Sequence, residues 1–288
     1  QIQPRGNADF GKSTVNGTLY AYVANIIDDN VSMINTVDNT VLATIPVGRA
    51  PGSIAVSPDG SHFYTANQGS YTVSAVNTAT QLVEAQIPII GPVGSVIVSP
   101  DGSRLYVSSF NFERITTVNT ANNTVVATYP LFNSFPQGMA VSPDGSLLYV
   151  ALFNPGTVMV LNTATNTLVN TITVGGHPTE LAISPDGNRL YVSNYGDSKL
   201  NVINTTTMSV VANIVLSNIP GGVAVHPDGS KVYVSVFFSD KVSVVNATTN
   251  AIITNITVGL SPDGISVTPD GSKVYVSNVT PANVSVIT

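Results

Sequence analysis

Cysteine and tryptophan are both absent from this 288-residue chain. Without cysteine there is no disulfide, no thiolate metal ligand and no thiol nucleophile, and either redox environment is tolerated. Charge is scarce as well. Asp, Glu, Lys and Arg make up 9% of the residues, against roughly 25% in an average soluble domain. The charges present are unequal, 10 basic against 16 acidic for a net charge of −6, which sets nucleic acid aside as a partner. No apolar run approaches the roughly 18 to 20 residues of a membrane helix, so no membrane insertion is expected. Residues 1–10 have neither the basic start nor the apolar core of a signal peptide. A beginning at Gln1 fits a processed mature form or a piece cut from something longer. What the chain does have is 43% hydrophobic residues, enough to fill a core.

It also has a period. Pro-Asp-Gly recurs at Pro58, Pro100, Pro143, Pro185, Pro227 and Pro269, in steps of 42 or 43 residues. Six residues after each Pro stands a Tyr: Tyr64, Tyr106, Tyr149, Tyr191, Tyr233 and Tyr275. One further step back lands on Tyr22, with Asn16-Gly17 standing in for the turn, which makes seven units. Seven full units of 42 would overrun the chain by six residues, and the shortfall falls at the C-terminus, where the last unit ends on its third strand.

One unit reads as four short strands. Ser53–Ser57 leads into a Pro-Asp-Gly turn, in which Pro presets the backbone, Asp caps locally and Gly supplies the positive φ. Phe63–Asn67 and Thr72–Asn77 follow with period-2 alternation, and Leu82–Pro88 is the fourth strand. No segment shows the 3.6-residue apolar stripe of a helix. The fold class predicted is all-β: a single seven-bladed β-propeller of four-stranded antiparallel blades over residues 1–288. Three turns in every unit exclude the long uniform strands of a membrane barrel, and hairpin signals exclude a parallel solenoid. Small residues on the first strand (Ala55, Ala140, Ala182, Ala224, Ser266) suit the crowded place where blades converge. Gln1-Ile2-Gln3 aligns with the fourth strand of the first unit, so the N-terminal segment is expected to close the ring as the outer strand of blade 7.

Tyr191-Val192-Ser193-Asn194, Tyr275-Val276-Ser277-Asn278 and Tyr22-Val23-Ala24-Asn25 resemble the signature of the YVTN-type β-propeller repeats. Ser-Pro-Asp-Gly before the signature and Thr-Ile-x-Val-Gly after it extend the likeness over nearly the whole chain. The Asn is replaced in units three, four and six, by Ser109, Leu152 and Val236. The resemblance implies a surface-layer or other cell-surface protein, extracellular or periplasmic, and includes some lyase-like relatives. Fold alone does not assign a chemistry.

Residues present in every unit belong to the scaffold, so function is sought where the pattern breaks. Asp59, Asp101, Asp144, Asp186, Asp228 and Asp270 are therefore turn residues rather than a ring of metal ligands. In the inter-blade loops Arg49, His177 and Asn218 break the pattern, and Glu180 stands where other units carry Ser or Gly. A loop His near a carboxylate can act as a general base or hold an ion. His177 with Glu180 also resembles the His, acidic residues and Mg²⁺ of virginiamycin B lyase-like propellers. His62 and His226 belong to the Pro-Asp-Gly turns, expected on the opposite face. The second break is aromatic: Tyr71, Phe110, Phe112, Phe153, Tyr195, Phe237 and Phe238 in the strand-two-to-three loops, with Phe132 and Phe135 between blades, concentrated in units three, four and six. Aromatics gathered on one face suit protein or sugar contact. Eight Asn-x-Ser/Thr sequons permit glycosylation.

The reading that follows is a non-catalytic scaffold or interaction module at the cell surface. It binds other surface proteins or glycans through Arg49, His177 and the aromatic loops, with no cofactor and no metal. The alternative is a lyase- or hydrolase-like enzyme working around His177 and Glu180.

Overall fold

The Pro-Asp-Gly turns form as their residues dictate. The structure, a computed structural model, describes residues 8–12, 18–280 and 282–288. In the first such turn Gly60 N–H donates to the Ser57 carbonyl at 2.8 Å, with Gly60 at φ 71°. Asp59 Oδ1 accepts from the Ser57 hydroxyl at 2.6 Å and from the Ser61 N–H at 3.0 Å. The same closure recurs at Gly102, Gly145, Gly187, Gly229 and Gly271. A left-handed residue costs glycine nothing, and the aspartate satisfies the donors on both sides of the bend.

These turns join the two inner strands of each blade. Blade 2 is Pro51–Val56, His62–Asn67, Thr72–Asn77 and Leu82–Pro88, paired antiparallel in that order. Blade 1 (Ala8–Lys12 to Val41–Pro46), blade 3 (Val93–Val98 to Thr124–Pro130), blade 4 (Pro136–Val141 to Thr167–Thr173), blade 5 (Pro178–Ile183 to Ser209–Val215) and blade 6 (Pro220–Val225 to Ile252–Thr257) repeat the order. Blade 7 shows three strands among the described residues, Leu260–Val267, Val274–Thr280 and Asn283–Ile287. The fold is a seven-bladed β-propeller, all-β except for two short 3-10 turns, Phe110–Phe112 and Phe237–Ser239. The expected closing strand at residues 1–4, and the Asn16-Gly17 turn, lie outside the described residues.

The chain divides into a compact unit ending at Pro136, with blades 1 to 3, and another beginning at Gln137, with blades 4 to 7. In each, the core lies between neighbouring blades. Tyr22 and Met33 of blade 1 meet Ile54, Phe63 and Val76 of blade 2. In the second unit Tyr149, Val158 and Val160 of blade 4 meet Leu181, Leu190 and Val192 of blade 5. The repeated tyrosine is the largest member of each layer. Tyr22, Tyr149, Tyr191 and Tyr275 are fully buried, and burial pushes the Tyr22 and Tyr64 hydroxyls up to about 12. In blades 1 to 6 the pairing of third and outer strands carries a bulge at the same place, for example between Ala75 and Val76. The extra residue is turned out of the pleat.

Candidate functional site

The loops opposite the Pro-Asp-Gly turns come in two kinds. In blades 2, 5 and 7 the second strand carries a buried Asn at or near its end: Asn67 and Asn194 close theirs, and Asn278 stands two residues before the end of Val274–Thr280. Its amide crosses to the third strand: Asn67 Nδ2 donates to Ser74 Oγ at 2.8 Å, Asn194 to Asn201 Oδ1 at 3.1 Å and Asn278 to Ser285 Oγ at 2.9 Å. The same amide lies against a glycine of the preceding inter-blade loop. A Cβ on Gly48 would come within 2.6 Å of Asn67 and one on Gly259 within 2.5 Å of Asn278, while one on Gly176 would collide with Asn194. The Asn of the repeat signature and the Gly of the preceding Val-Gly are thus two halves of one lock, with the second glycine of Val174-Gly175-Gly176 taking that place in blade 5.

Blades 3, 4 and 6 have neither half. Ser109, Leu152 and Val236 replace the Asn, and Ile90, Phe132 and Ser217 stand where Val-Gly would place its glycine. These are the blades in which the loop phenylalanines gather, while blades 2 and 5 carry the single loop tyrosines Tyr71 and Tyr195. Phe110 packs on Phe135 with ring centroids 5.6 Å apart, and Phe237 meets Phe238 edge-on at 4.8 Å. Phe112 covers Gly91, whose φ is +92° and whose missing Cβ would collide with the ring. Gly91→Ala is expected to cost about 1–3 kcal/mol and to dislodge Phe112. Unfolding in urea reads the cost, and a variant as stable as the parent would contradict it.

The sequence-selected aromatics therefore divide. Phe110, Phe135, Phe153, Tyr195 and Phe237 are half-buried caps over their own loops. Phe112, at 49% exposure, Tyr71 at 50%, Phe238 at 62% and Phe132 at 82% remain open to solvent. Arg49 is exposed, and its backbone N–H donates to Ser70 Oγ at 3.1 Å.

His177 is held on three sides. Its ring stacks on Phe153 at 4.3 Å and 10°, and Tyr195 lies 6.3 Å from Phe153. Its backbone N–H donates to Asn194 Oδ1 at 2.9 Å. Its Nδ1 lies 3.1 Å from the Phe153 carbonyl, which can only accept, so Nδ1 carries a proton. The Glu180 carboxylate lies over Gly138 of blade 4, where a Cβ would be 2.6 Å from Oε2. Among the described residues no group of three His, Asp or Glu could hold a metal ion. A Mg²⁺ site of the lyase-like kind does not fit these side chains.

Sequence reasoning passed over Asp263. It lies in a seventh Pro-Asp-Gly, Pro262-Asp263-Gly264, which is out of step with the other six by beginning seven residues before Pro269. Here the tripeptide forms no turn but the first strand of blade 7, and Asp263 is 2% exposed. Its carbonyl accepts from the Ser235 hydroxyl at 2.5 Å, and its Oδ1 crowds Gly221 of blade 6. The misplaced register was the signal that could have found it.

No protein-family model and no curated protein matches the chain. Solved structures do. A hydrazine synthase chain of Kuenenia stuttgartiensis superposes with a TM-score of 0.86 at 21% identity, over 93% of this chain and 92% of that one. The β-propeller domain of Myceliophteria thermophila Cps50 (Swd1) gives 0.85 at 12% identity, over 98% and 96%. A functionally unknown protein from Desulfotomaculum acetoxidans gives 0.84 at 19% identity, over 93% and 92%. At these identities what the chain shares with them is the β-propeller fold, and the site must be read from its own residues.

Proposed function

We propose that the protein is a non-catalytic interaction module of the cell surface or extracellular space, built on YVTN-type repeats. Other surface proteins or glycans bind it through the aromatic loops of blades 3, 4 and 6. One observation carries this reading: where the Asn–Gly lock is missing, the loops leave Phe132 and Phe238 at 82% and 62% exposure, against 50% for Tyr71 in blade 2, which has the lock. Large rings held on short loops lose little entropy on binding and offer both apolar area and a face for sugar C–H groups. The second, enzymatic reading would draw on His177 and Glu180, and the ring of His177 is given to the Phe153 stack and carbonyl.

Phe132→Ser combined with Phe238→Ser tests the reading. Binding would be titrated against surface-glycan and surface-protein fractions prepared from the source cells. At least a tenfold loss of binding with an unchanged melting temperature is expected, because both rings are already in solvent. Equal binding by the variant and the parent would overturn it.

A further inference from the structure

Blades 2 and 5 correspond at a constant offset of 127 residues, which carries His62 onto Arg189, Glu84 onto Val211, Thr120 onto Ala247 and Asn123 onto Asn250. In the second unit Arg189 reaches from blade 5 into blade 6. Its Nη1 donates to the Ala247 carbonyl at 2.9 Å and to Asn250 Oδ1 at 3.2 Å. A guanidinium therefore fills the space between those two blades at the Pro-Asp-Gly end.

In the first unit the corresponding space is open. The shorter imidazole of His62 stays in its own blade, with Nε2 2.9 Å from Glu84 Oε2 and Nδ1 2.8 Å from Ser61 Oγ. Glu84 is the extra residue of the blade 2 bulge, since Ala75 pairs with Ala85 and Val76 with Val83. Blade 5 has Val211 there, which offers Arg189 no competing charge. Two consequences are visible between blades 2 and 3. A cleft of about 320 Å³ remains, lined among others by Asp59, His62, Tyr64, Asp101 and Thr120. The lining ends in sequence at Ala121, and two residues further on, in the same turn, the Asn123 Oδ1 is buried with no hydrogen-bond partner among the described residues. Its counterpart Asn250 has the same backbone conformation, φ 57° in both, and its Oδ1 is the one that takes the guanidinium. A buried acceptor left unpaired costs about 1–3 kcal/mol, so a donor arriving there is favoured. Asp59 and Asp101 are ionised at neutral pH, their carboxyls held below the usual range by hydrogen bonds from Ser57 and Ser99 first of all.

We propose that the cleft between blades 2 and 3 receives the guanidinium of an arginine side chain from another molecule, in the manner Arg189 shows between blades 5 and 6. The two carboxylates supply charge, and the Thr120 carbonyl edge and Asn123 Oδ1 supply the acceptors. The cleft lies at the other end of the strands from the aromatic loops, so this surface stands or falls independently of them.

Isothermal titration of the full chain with N-acetyl-arginine amide tests it, with N-acetyl-citrulline amide as the neutral isostere and N-acetyl-lysine amide as the unforked cation. Millimolar binding of the arginine compound is expected, with the citrulline compound at least about tenfold weaker and the lysine compound in between. His62→Arg should fill the cleft from within and abolish the binding. Asn123→Gly, which keeps the positive φ and removes the acceptor, should weaken binding about fivefold or more and tests the site even if His62→Arg does not fold. Equal affinity for arginine and citrulline, or undiminished binding by Asn123→Gly, would overturn the proposal.

Discussion

Replacing Asn194 by valine is expected to destabilise the protein by about 3–5 kcal/mol, since several buried polar groups lose their partner together. Asn194 Nδ2 donates to the Gly175 carbonyl at 2.8 Å, the Val174 carbonyl at 3.2 Å and Asn201 Oδ1 at 3.1 Å, while Oδ1 accepts the His177 N–H. No solvent reaches Asn194, and its partners Val174 and Asn201 are buried as well, so those groups cannot turn to water instead. Valine itself is no obstacle to the fold, because Val236 holds the same position in blade 6. There the loop provides for itself: Asn218 Oδ1 accepts the Ile219 N–H at 2.9 Å. Urea unfolding would give the cost, and a loss below about 1 kcal/mol would show that the lock is dispensable. The His177–Phe153 stack should loosen in the same variant, visible as a shift of the His177 ring resonances.

Acid should act on all six Pro-Asp-Gly turns at once. Every one of Asp59, Asp101, Asp144, Asp186, Asp228 and Asp270 has its carboxyl held below the usual 3.8, and Asp101, Asp228 and Asp270 are lowered to about 2. For Asp101, Asp144, Asp186 and Asp270 the main cause is a hydroxyl two residues earlier, followed by the backbone N–H two residues later. Asp228 differs, since His226 replaces that hydroxyl and Ser230 contributes most. A carboxyl more acidic in the folded chain than in the unfolded one stabilises the fold wherever it is ionised in both states. That contribution is complete above the unfolded value and is lost as pH falls through the folded value. Stability should therefore be flat from pH 7 to about 5 and fall between about 4 and 2. The turns are exposed and each contribution is small, so the effect lies in their number. Urea midpoints at a series of pH values would read it, and Asp144→Asn with Asp186→Asn should flatten the fall. An unchanged midpoint at about pH 2.5 would contradict it.

The parts of the molecule set by short-range chemistry were legible in the chain. Pro-Asp-Gly closes on itself within four residues, and Thr72–Asn77 and Leu82–Pro88 begin and end where their alternation says they should. The Asn–Gly lock was present in the sequence as two separate repeat features, Tyr-Val-x-Asn and Val-Gly. Their mutual dependence was hidden because the partners lie nearly 20 residues apart and meet only when two blades are joined. Asp263 shows the converse. The tripeptide that makes a turn at Pro58 makes a strand at Pro262, because its neighbours in blade 7 extend it.

Periodicity alone thus determined the number of blades, the strand order and which aspartates serve the turns, since each rests on contacts within one repeat. Packing between repeats decided the rest. It stacked His177 on Phe153, half-buried most of the selected aromatics while leaving Phe132 and Phe238 in solvent, and left Asn123 without the arginine that its counterpart receives. Such choices depend on side chains that approach from different blades, and a one-dimensional pattern does not record distances between them.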